Sequence, residues 1–255
     1  MHNAVFTSLG MDAQYGALDV VPSEFPRTLE GLRHSDYVGL SVTMPHKDAA
    51  FALCDERSSV AERVGAVNTI HFRNGMVIGH NTDGAGCVGA LTRHGVGIAG
   101  QRCVVLGAGG TARAVIDSLV ANGAREVVVV NRTTANARRA VEGFVACRVG
   151  DSTDVRGADI VVNCTSVGMG TAESPLSRAD LQGVACVLDA VYHPLRTKLL
   201  DDAAATGATA IDGLWMLVHQ AVEQQRVWFG HDADSQLMRH AAIEELSRRG
   251  SDPTL

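Results

Sequence analysis

Short apolar runs alternate with amphipathic stretches through the second half of the chain. Runs typical of buried strands occur at 103–106, 127–130, 146–149, 160–164, 186–190 and 208–211. Helix-like segments separate several of them, at 111–122, from 133 to about 144, and at 195–206. Strands that alternate with helices form a parallel sheet, so this half predicts a doubly wound α/β sheet. Apolar residues then recur at helical spacing over 214–229 and 235–248, which predicts two C-terminal helices.

The first half predicts a smaller α/β unit with shorter elements. A helix over 2–9 ends near Gly10, and further helices are expected within 22–31, after Pro45, and from about Gly84. Strands are expected around 17–20, 38–43, 67–72 and 76–79. The last two flank an Asn-Gly pair, which is a strong hairpin signal.

The glycine cluster after the run at 103–106 is the first candidate for chemistry. Gly107 permits a sharp turn, Gly109 allows close approach to a pyrophosphate, and Ala112 lets helix and strand pack. Phosphates would lie at the N-terminus of the helix, where free N–H groups meet anionic oxygens. Many strand-to-helix turns use glycine only for its backbone freedom. Because a strand, a helix and a second strand surround the cluster, we favour a dinucleotide site.

The end of the next strand indicates which dinucleotide binds. An NAD site carries Asp or Glu there, whereas this chain reads Asn131, Arg132, Thr133. A guanidinium pairs with a phosphate through charge-assisted hydrogen bonds, so the predicted cofactor is NADP. The alternative is that Arg132 is a solvated surface charge.

Composition narrows the class of protein. A formal net charge of -6 without a run of like charges argues against nucleic acid or an anionic membrane as partner. No apolar stretch approaches the ~20 residues of a membrane helix. The six cysteines form no CxxC pair, and the ten histidines lack metal-ligand spacing. We therefore expect a cytoplasmic protein without a metal site.

Three polar residues in the first half have two interpretations each. Lys47 falls in the first turn of a helix, where the dipole opposes a cation. It is either solvent-exposed or a group that holds and moves a proton. Asp83 is either an N-cap or a site residue, and Asn68 is either a turn residue or a site residue.

Eight segments together resemble the shikimate dehydrogenase family. They occur in the family's order and approximate spacing: SVTMPHK, GAVNT, NTDGAG, GAGGTARA, NRT, NCTSVGM, DAVYHPLRT and DGLWMLVHQA. The resemblance implies reversible, NADPH-dependent reduction of 3-dehydroshikimate to shikimate in aromatic amino-acid biosynthesis. It also implies two domains, with 1–83 plus 214–255 forming the substrate domain and 84–213 the NADP-binding Rossmann domain. The C-terminal helices would return to the first domain.

The resemblance also assigns roles to individual residues. Lys47 and Asp83 would be the catalytic pair. The residues facing the substrate would be Thr43, Asn68, Tyr192 and Gln220. The cofactor would be held by Gly107, Ala108, Gly109, Gly110, Thr111, Asn131, Arg132 and Thr133, with Gly213 near the nicotinamide.

Three departures from the family pattern qualify these expectations. Family members carry roughly twenty residues before the stretch corresponding to MHNAVF, including a strand and a serine loop that binds the substrate carboxylate, so we expect NADP binding but weak shikimate binding. Asn136 replaces a second basic residue, which predicts a softer NADP preference. Trp215 replaces a small residue, and we favour core packing over a narrowed pocket.

Two alternatives stay open at this point. One is a quinate or shikimate dehydrogenase paralogue that uses the same catalytic pair. The other is a non-catalytic, NADP-binding regulatory protein that lost its substrate loop. The sequence also leaves open whether the chain forms a homodimer.

Overall fold

The computed structural model describes residues 1–250, which form two sheets and the helices that cover them. The helices are α1 (His2–Leu9), α2 (Phe25–Arg33), α3 (Lys47–Leu53), α4 (Ser59–Val64), α5 (Asp83–Arg93), α6 (Gly110–Ala121), α7 (Thr134–Val141), α8 (Lys198–Ala205), α9 (Gly213–Phe229) and α10 (Ser235–Gly250), with a 3-10 helix at Ser152–Val155. Within residues 1–250, no helix combines the length and apolar character needed to cross a bilayer.

The second half forms the predicted parallel sheet. Its six strands are β5 (Arg102–Leu106), β6 (Glu126–Val130), β7 (Cys147–Val149), β8 (Ile160–Asn163), β9 (Cys186–Asp189) and β10 (Thr209–Ile211). Their spatial order is β10-β9-β8-β5-β6-β7, and every neighbouring pair is parallel. This is the doubly wound order, in which the direction of winding reverses between β5 and β8. Ligands bind at that reversal, beyond the carboxyl ends of the strands.

The long apolar runs arise because the sheet is covered on both faces. Cys103 and Val105 of β5 belong to one core cluster, which includes Ile116 of α6. Val104 and Leu106 belong to the opposite cluster, with Leu199 of α8. Both faces are therefore apolar, as parallel sheets require.

The first half forms a four-stranded mixed sheet. Its strands are β1 (Gly39–Ser41), β2 (Glu56–Arg57), β3 (Thr69–Arg73) and β4 (Met76–His80), in the order β1-β3-β4-β2. The predicted hairpin joins β3 to β4 through Asn74 and Gly75, both with positive φ. Two successive positive φ angles are typical of a type I′ turn, which matches the twist of the strands.

Two strand predictions in this half are wrong in part or in full. The strand around 17–20 does not form, and the strand expected over 38–43 is limited to Gly39–Ser41. The segment before α2 is held instead by isolated hydrogen bonds, from His46 Nε2 to the Val20 carbonyl (2.8 Å) and between Asn3 and Tyr15. Alternation of side chains predicts an extended backbone, but a strand also needs a neighbouring strand to complete its hydrogen bonds.

Helix α5 connects the two halves through close glycine contacts. A Cβ atom on Gly84 would lie 2.4 Å from the Ala114 carbonyl oxygen of α6. One on Gly86 would lie 2.6 Å from the Met216 carbonyl oxygen of α9. Glycine is therefore required at both positions. The contacts hold the N-terminus of α5, where Asp83 lies, between the other two helices.

The C-terminal helices return to the first half, as the family resemblance implied. Trp228 of α9 donates its indole N–H to the Ile70 carbonyl of β3 at 2.8 Å. Trp215, in contrast, is 9 % exposed and lies within the larger core cluster. The guanidinium of Arg239 lies 4.3 Å from its ring centroid. Trp215 therefore packs in the core, as we expected.

Candidate active site

Lys47 and Asp83 form an ion pair at the junction of the two halves. Lys47 begins α3 directly after the turn that contains Pro45, and Asp83 begins α5. The distance from Lys47 Nζ to Asp83 Oδ2 is 2.5 Å, and Asp83 is only 3 % exposed. The lysine side chain retains 14 % of its exposed area. A nearly buried carboxylate is therefore paired with a lysine whose side chain is partly exposed.

Asn68, just before β3, fixes the other oxygen of Asp83. Its side-chain N–H group donates to Asp83 Oδ1 at 2.8 Å and to Gln220 Oε1 at 3.0 Å. Its carbonyl oxygen accepts the backbone N–H of Thr82 at 2.8 Å. Because a backbone N–H is always a donor, this bond sets the orientation of the amide. Asn68 is therefore part of a buried network rather than a turn residue.

The N-cap interpretation of Asp83 is also wrong, because Thr82 occupies the N-cap position of α5. The Asp83 backbone N–H donates to Asn81 Oδ1 at 3.1 Å, and Asn81 in turn donates to the Ala66 carbonyl at 3.0 Å. Sequence reasoning did not assign Asn81 and Thr82 to the site. Their signal was present in the NTD triplet, where three consecutive polar residues follow a strand.

The turn from Gly107 to Thr111, which we call the glycine turn, brings a fifth residue to this group. Thr111 Oγ1 lies 3.1 Å from Lys47 Nζ and 3.3 Å from Asp83 Oδ2. We call Lys47, Asn68, Asp83, Thr111 and Gln220 the polar cluster. Four of them lie on different helices and Asn68 precedes a strand, so the cluster exists only when the two halves pack together.

The glycine turn itself has the features that a pyrophosphate needs. Gly107 has φ 108, and a Cβ there would lie 3.3 Å from the backbone of Cys164, after β8. A Cβ on Gly109 would meet nothing within 4 Å, so open space lies in front of that residue. No side chain caps α6, which leaves the N–H groups of its first turn for an anion. The residues present therefore fit a dinucleotide phosphate.

The adjacent turn at Asn131, Arg132 and Thr133, which we call the arginine turn, is exposed. It follows β6, and the Gly107 N–H donates to the Val130 carbonyl at 2.8 Å, so the two turns are neighbours. Asn131 donates its side-chain N–H to the Thr133 carbonyl at 2.9 Å. Arg132 and Thr133 are exposed. An exposed guanidinium beside the glycine turn is compatible with binding an additional phosphate.

The remaining predicted residues lie outside the polar cluster. Thr43 is exposed in the turn before α3, where its carbonyl accepts the His46 N–H. Tyr192 is 39 % exposed in the loop after β9. Gly213 is buried at the start of α9, where a Cβ would lie 2.6 Å from the Ala190 carbonyl oxygen. The structure thus joins five of the predicted residues directly and leaves Thr43 and Tyr192 on surrounding loops.

A cavity of about 140 Å³ adjoins the polar cluster at Gln220. Polar side chains that sequence reasoning missed line it, including Ser41, Tyr15 and Gln224. Gln224 donates to Ser41 Oγ at 3.0 Å and to Thr69 Oγ1 at 3.1 Å. His2 also lines the cavity; burial, reinforced by the nearby terminal ammonium, lowers its pKa to about 4. No local sequence signal could link Gln224 to residues more than 150 positions away.

Within residues 1–250, the acidic, histidine and cysteine side chains form no group of three or more that could hold a metal ion. Burial raises the pKa of the Cys164 thiol well above its usual value.

Comparison with known proteins identifies the family. Residues 1–70 match the shikimate dehydrogenase substrate binding domain, residues 90–173 the shikimate/quinate 5-dehydrogenase family, and residues 213–243 the shikimate 5′-dehydrogenase C-terminal domain. The chain is 40 % identical to the NADP(+) shikimate dehydrogenase of Thermococcus kodakarensis, over 97 % of this chain and 91 % of that protein.

Solved structures agree in fold. Shikimate 5-dehydrogenase from Thermus thermophilus, in complex with NADP(H) and shikimate, superposes with a TM-score of 0.90 at 36 % identity, covering 95 % of this chain and 92 % of that one. The 5-ketofructose reductase of Gluconobacter sp. strain CHM43 superposes with a TM-score of 0.83 at 33 % identity, covering 93 % and 90 %. Because identity near 40 % extends over almost the whole chain, this protein belongs to the shikimate dehydrogenase family.

Proposed function

We propose that this protein is an NADP-dependent oxidoreductase that reversibly reduces 3-dehydroshikimate to shikimate. The observation that carries the proposal is the polar cluster. In it, the Lys47–Asp83 pair lies between the glycine turn and the substrate-side residues Asn68 and Gln220. Relatives of about 40 % identity bear the name NADP(+) shikimate dehydrogenase, which supports both the reaction and the cofactor. The reaction belongs to aromatic biosynthesis.

NADP would be held by residues of both turns. The N–H groups from Gly107 to Thr111 would bind the pyrophosphate, and the arginine turn would bind the phosphate on the adenosine ribose. Gly213 would lie near the nicotinamide. When bound, NADPH supplies the hydride that reduces the carbonyl carbon.

The chain's own chemistry is proton transfer and orientation. In the reduction direction, Lys47 Nζ donates a proton to the substrate oxygen on which negative charge develops; in oxidation it accepts that proton. Asp83 keeps Nζ in place and shares its proton. Because Asp83 is bonded through both oxygens, it can do this without moving.

The remaining hydroxyl groups of the substrate would be bound by Thr43, Asn68, Tyr192 and Gln220. A buried polyol leaves each unpaired partner costly, so neutral donors and acceptors suit it. Asn68 and Gln220 already lie in the polar cluster. Thr43 and Tyr192 lie on exposed loops, from which their side chains would face a substrate bound beside the polar cluster.

The domain boundaries follow from the same assignment. We propose that 1–83 plus 214–255 form the substrate domain and that 84–213 form the NADP-binding domain; residues 251–255 lie outside the described part of the chain. A core cluster confined to the first sheet and its helices, which contains Phe25 and Ile70, supports a separate substrate domain. We further propose that the protein acts in the cytoplasm on small molecules, without nucleic acid or membrane partners. A homodimer is compatible with this assignment.

Quinate is the substrate of the leading alternative. The description of the family matched by residues 90–173 names both shikimate and quinate, and this favours testing quinate as well. Arg132 argues against an NAD-dependent quinate enzyme, which needs an acidic residue at that point. The 5-ketofructose reductase neighbour adds a third substrate to test.

The experiment is a nicotinamide absorbance assay on the purified 255-residue chain. Shikimate, quinate and fructose are each offered with NADP and with NAD, and 5-ketofructose is offered with each reduced cofactor. NADP-dependent oxidation of shikimate supports the proposal, and the Michaelis constant tests whether shikimate binding is weak. Turnover of quinate without shikimate supports the paralogue. NADP binding without any turnover supports the regulatory alternative.

A further inference from the structure

Thr111 belongs to the glycine turn, yet its hydroxyl group faces the catalytic pair. The residue follows Gly110, the first residue of α6, and so lies in the first turn of the helix, where backbone N–H groups bind anions. Here Oγ1 lies 3.1 Å from Lys47 Nζ and 3.3 Å from Asp83 Oδ2, and those two atoms are 2.5 Å apart. The three groups therefore form a closed triangle.

The donors and acceptors of this triangle can be assigned. An ammonium group donates three hydrogen bonds and accepts none, whereas an ionised carboxylate only accepts. A hydroxyl group has one donor and can also accept. With Lys47 charged, Thr111 must accept from Nζ, and its own proton is then directed at Asp83. Every side of the triangle is satisfied only when a hydroxyl group stands at position 111.

The triangle also sets the direction of the remaining lysine proton. Lysine carries its ammonium group on a flexible four-carbon stem, so one anchor leaves Nζ free to rotate. Two anchors, Asp83 and Thr111, fix two of the three N–H directions of a tetrahedral nitrogen. The third N–H is then directed by geometry alone, and it is the one that remains for a substrate oxygen.

The rest of the glycine turn supports this position. A Cβ atom on Gly110 would lie 3.6 Å from Lys47 Cδ and 3.3 Å from Ala66 Cβ, so the turn packs along the lysine stem. Threonine is branched at Cβ, which restricts its χ1 angle. The hydroxyl is thus held by a helix terminus rather than by a flexible loop.

We infer that Thr111 is a positioning residue for Lys47, in addition to its place in the phosphate turn. It acts through the lysine and not on the substrate. The inference rests on the proposed function for its kinetic consequence, but the triangle itself can be tested without turnover. It also means that the cofactor turn and the proton-transfer group are joined by one side chain.

The kinetic test compares Thr111→Val, which keeps the shape and removes the hydroxyl, with Thr111→Ser, which keeps the hydroxyl. Loss of one hydrogen bond to a charged group corresponds to about 10- to 100-fold. We expect Thr111→Val to lower kcat for shikimate by about that factor, while the dissociation constant for NADP, measured by titration, changes less than about threefold. Thr111→Ser should restore kcat.

The chain permits a second readout that needs no activity. It contains only two lysines, Lys47 and Lys198, so pulse acetylation followed by mass spectrometry reports on Lys47 with an internal reference. Lys198 lies on α8, half-exposed and paired with Asp202. We expect the ratio of Lys47 to Lys198 acetylation to rise several-fold in Thr111→Val and to stay at the wild-type value in Thr111→Ser.

The outcomes separate this inference from the proposed function. If Thr111→Val is folded and shows wild-type kcat and acetylation, the inference is wrong. If its NADP affinity falls with kcat unchanged, Thr111 is a phosphate-turn residue only. If the wild type turns over no substrate, the proposed function fails, and the acetylation ratio still decides the role of Thr111.

Discussion

The polar cluster and the arginine turn are neighbouring regions with opposite physical character. In the cluster, Asp83 is nearly buried and bonded through both carboxylate oxygens. In the arginine turn, Arg132 is exposed, and Asn131 bonds only the backbone of its own turn. Charges in a low-dielectric site interact strongly and need no reorganisation, whereas exposed charges are screened by water and salt. The first region should therefore control rate, and the second should control affinity in a salt-dependent way.

The largest expected effect comes from Asp83→Asn. The substitution preserves size but removes the charge that holds Lys47 Nζ, so proton transfer loses its oriented donor. General acid–base groups contribute about 10²- to 10⁴-fold, and we expect kcat to fall by about 10³-fold with saturating substrates. The measurement is steady-state reduction of 3-dehydroshikimate.

Asp48→Asn is the matched control, because Asp48 is the exposed carboxylate directly after Lys47 and pairs with Arg113. It should change kcat less than about twofold. If Asp83→Asn retains kcat within about tenfold, the burial of the pair has no consequence for rate, and the contrast between the regions fails.

The second effect concerns the arginine turn. Arg132→Ala removes the guanidinium expected to bind the adenosine phosphate, so kcat/KM for NADP should fall about 10- to 100-fold with kcat unchanged. The loss should shrink at high salt, and kcat/KM for NAD should stay constant. Arg138→Ala, which removes an exposed charge from α7, is the control. An equal loss with NAD and NADP would contradict phosphate recognition by Arg132.

The third effect is a pH dependence of the unfolding free energy that arises from the burial of His2. Burial lowers the pKa of His2 to about 4. The ordinary pKa of histidine is about 6.5, so between about pH 6.5 and about pH 4 the unfolded chain binds more protons at His2 than the folded chain does. Stability from the neutral ring is present above about pH 6.5 and is lost as the pH falls through this window. We expect about 1 to 2 kcal/mol of unfolding free energy to be lost between about pH 7 and pH 5 through His2 alone.

Denaturant unfolding of the wild type and of His2→Phe at both pH values isolates this contribution. The unfolding free energy of His2→Phe should fall less between the two pH values, by about that amount, whatever its value at neutral pH. His34→Gln is the control, since the His34 side chain is 69 % exposed. Parallel pH dependence of the wild type and His2→Phe would mean that His2 does not resist protonation.

The sequence predicted the parallel sheet well, for a physical reason. All six strands were located within about a residue or two, because each is an apolar run between glycines or polar turns. The prediction of a strand around 17–20 was wrong, because a local strand pattern says nothing about whether a partner strand is present. The fold class was confirmed, whereas the domain boundaries stay a prediction.

The site was predictable as a set of residues but not as a geometry. Lys47, Asn68 and Asp83 each had a second interpretation until the family resemblance was considered. Their meeting depends on Gly84 and Gly86, which let α5 approach α6 and α9, and local sequence shows these only as helix residues. The triangle at Thr111 depends on the same packing, so no pattern along the chain could predict it.

The smallest effect tests how far the arginine turn can be improved. Asn136 stands where a second basic residue is common in the family, and in this protein it accepts a hydrogen bond from Arg139 Nη2 at 2.5 Å. We expect Asn136→Arg to lower KM for NADP only about two- to fivefold at low salt, because an added exposed charge is screened within about 10 Å at 0.1 M salt. Kinetics at two salt concentrations measure this. Asn122→Arg, which adds the same charge at the far end of α6, should leave KM unchanged. If both variants lower KM equally, net charge rather than position sets NADP affinity, and the arginine turn is not a specific phosphate site.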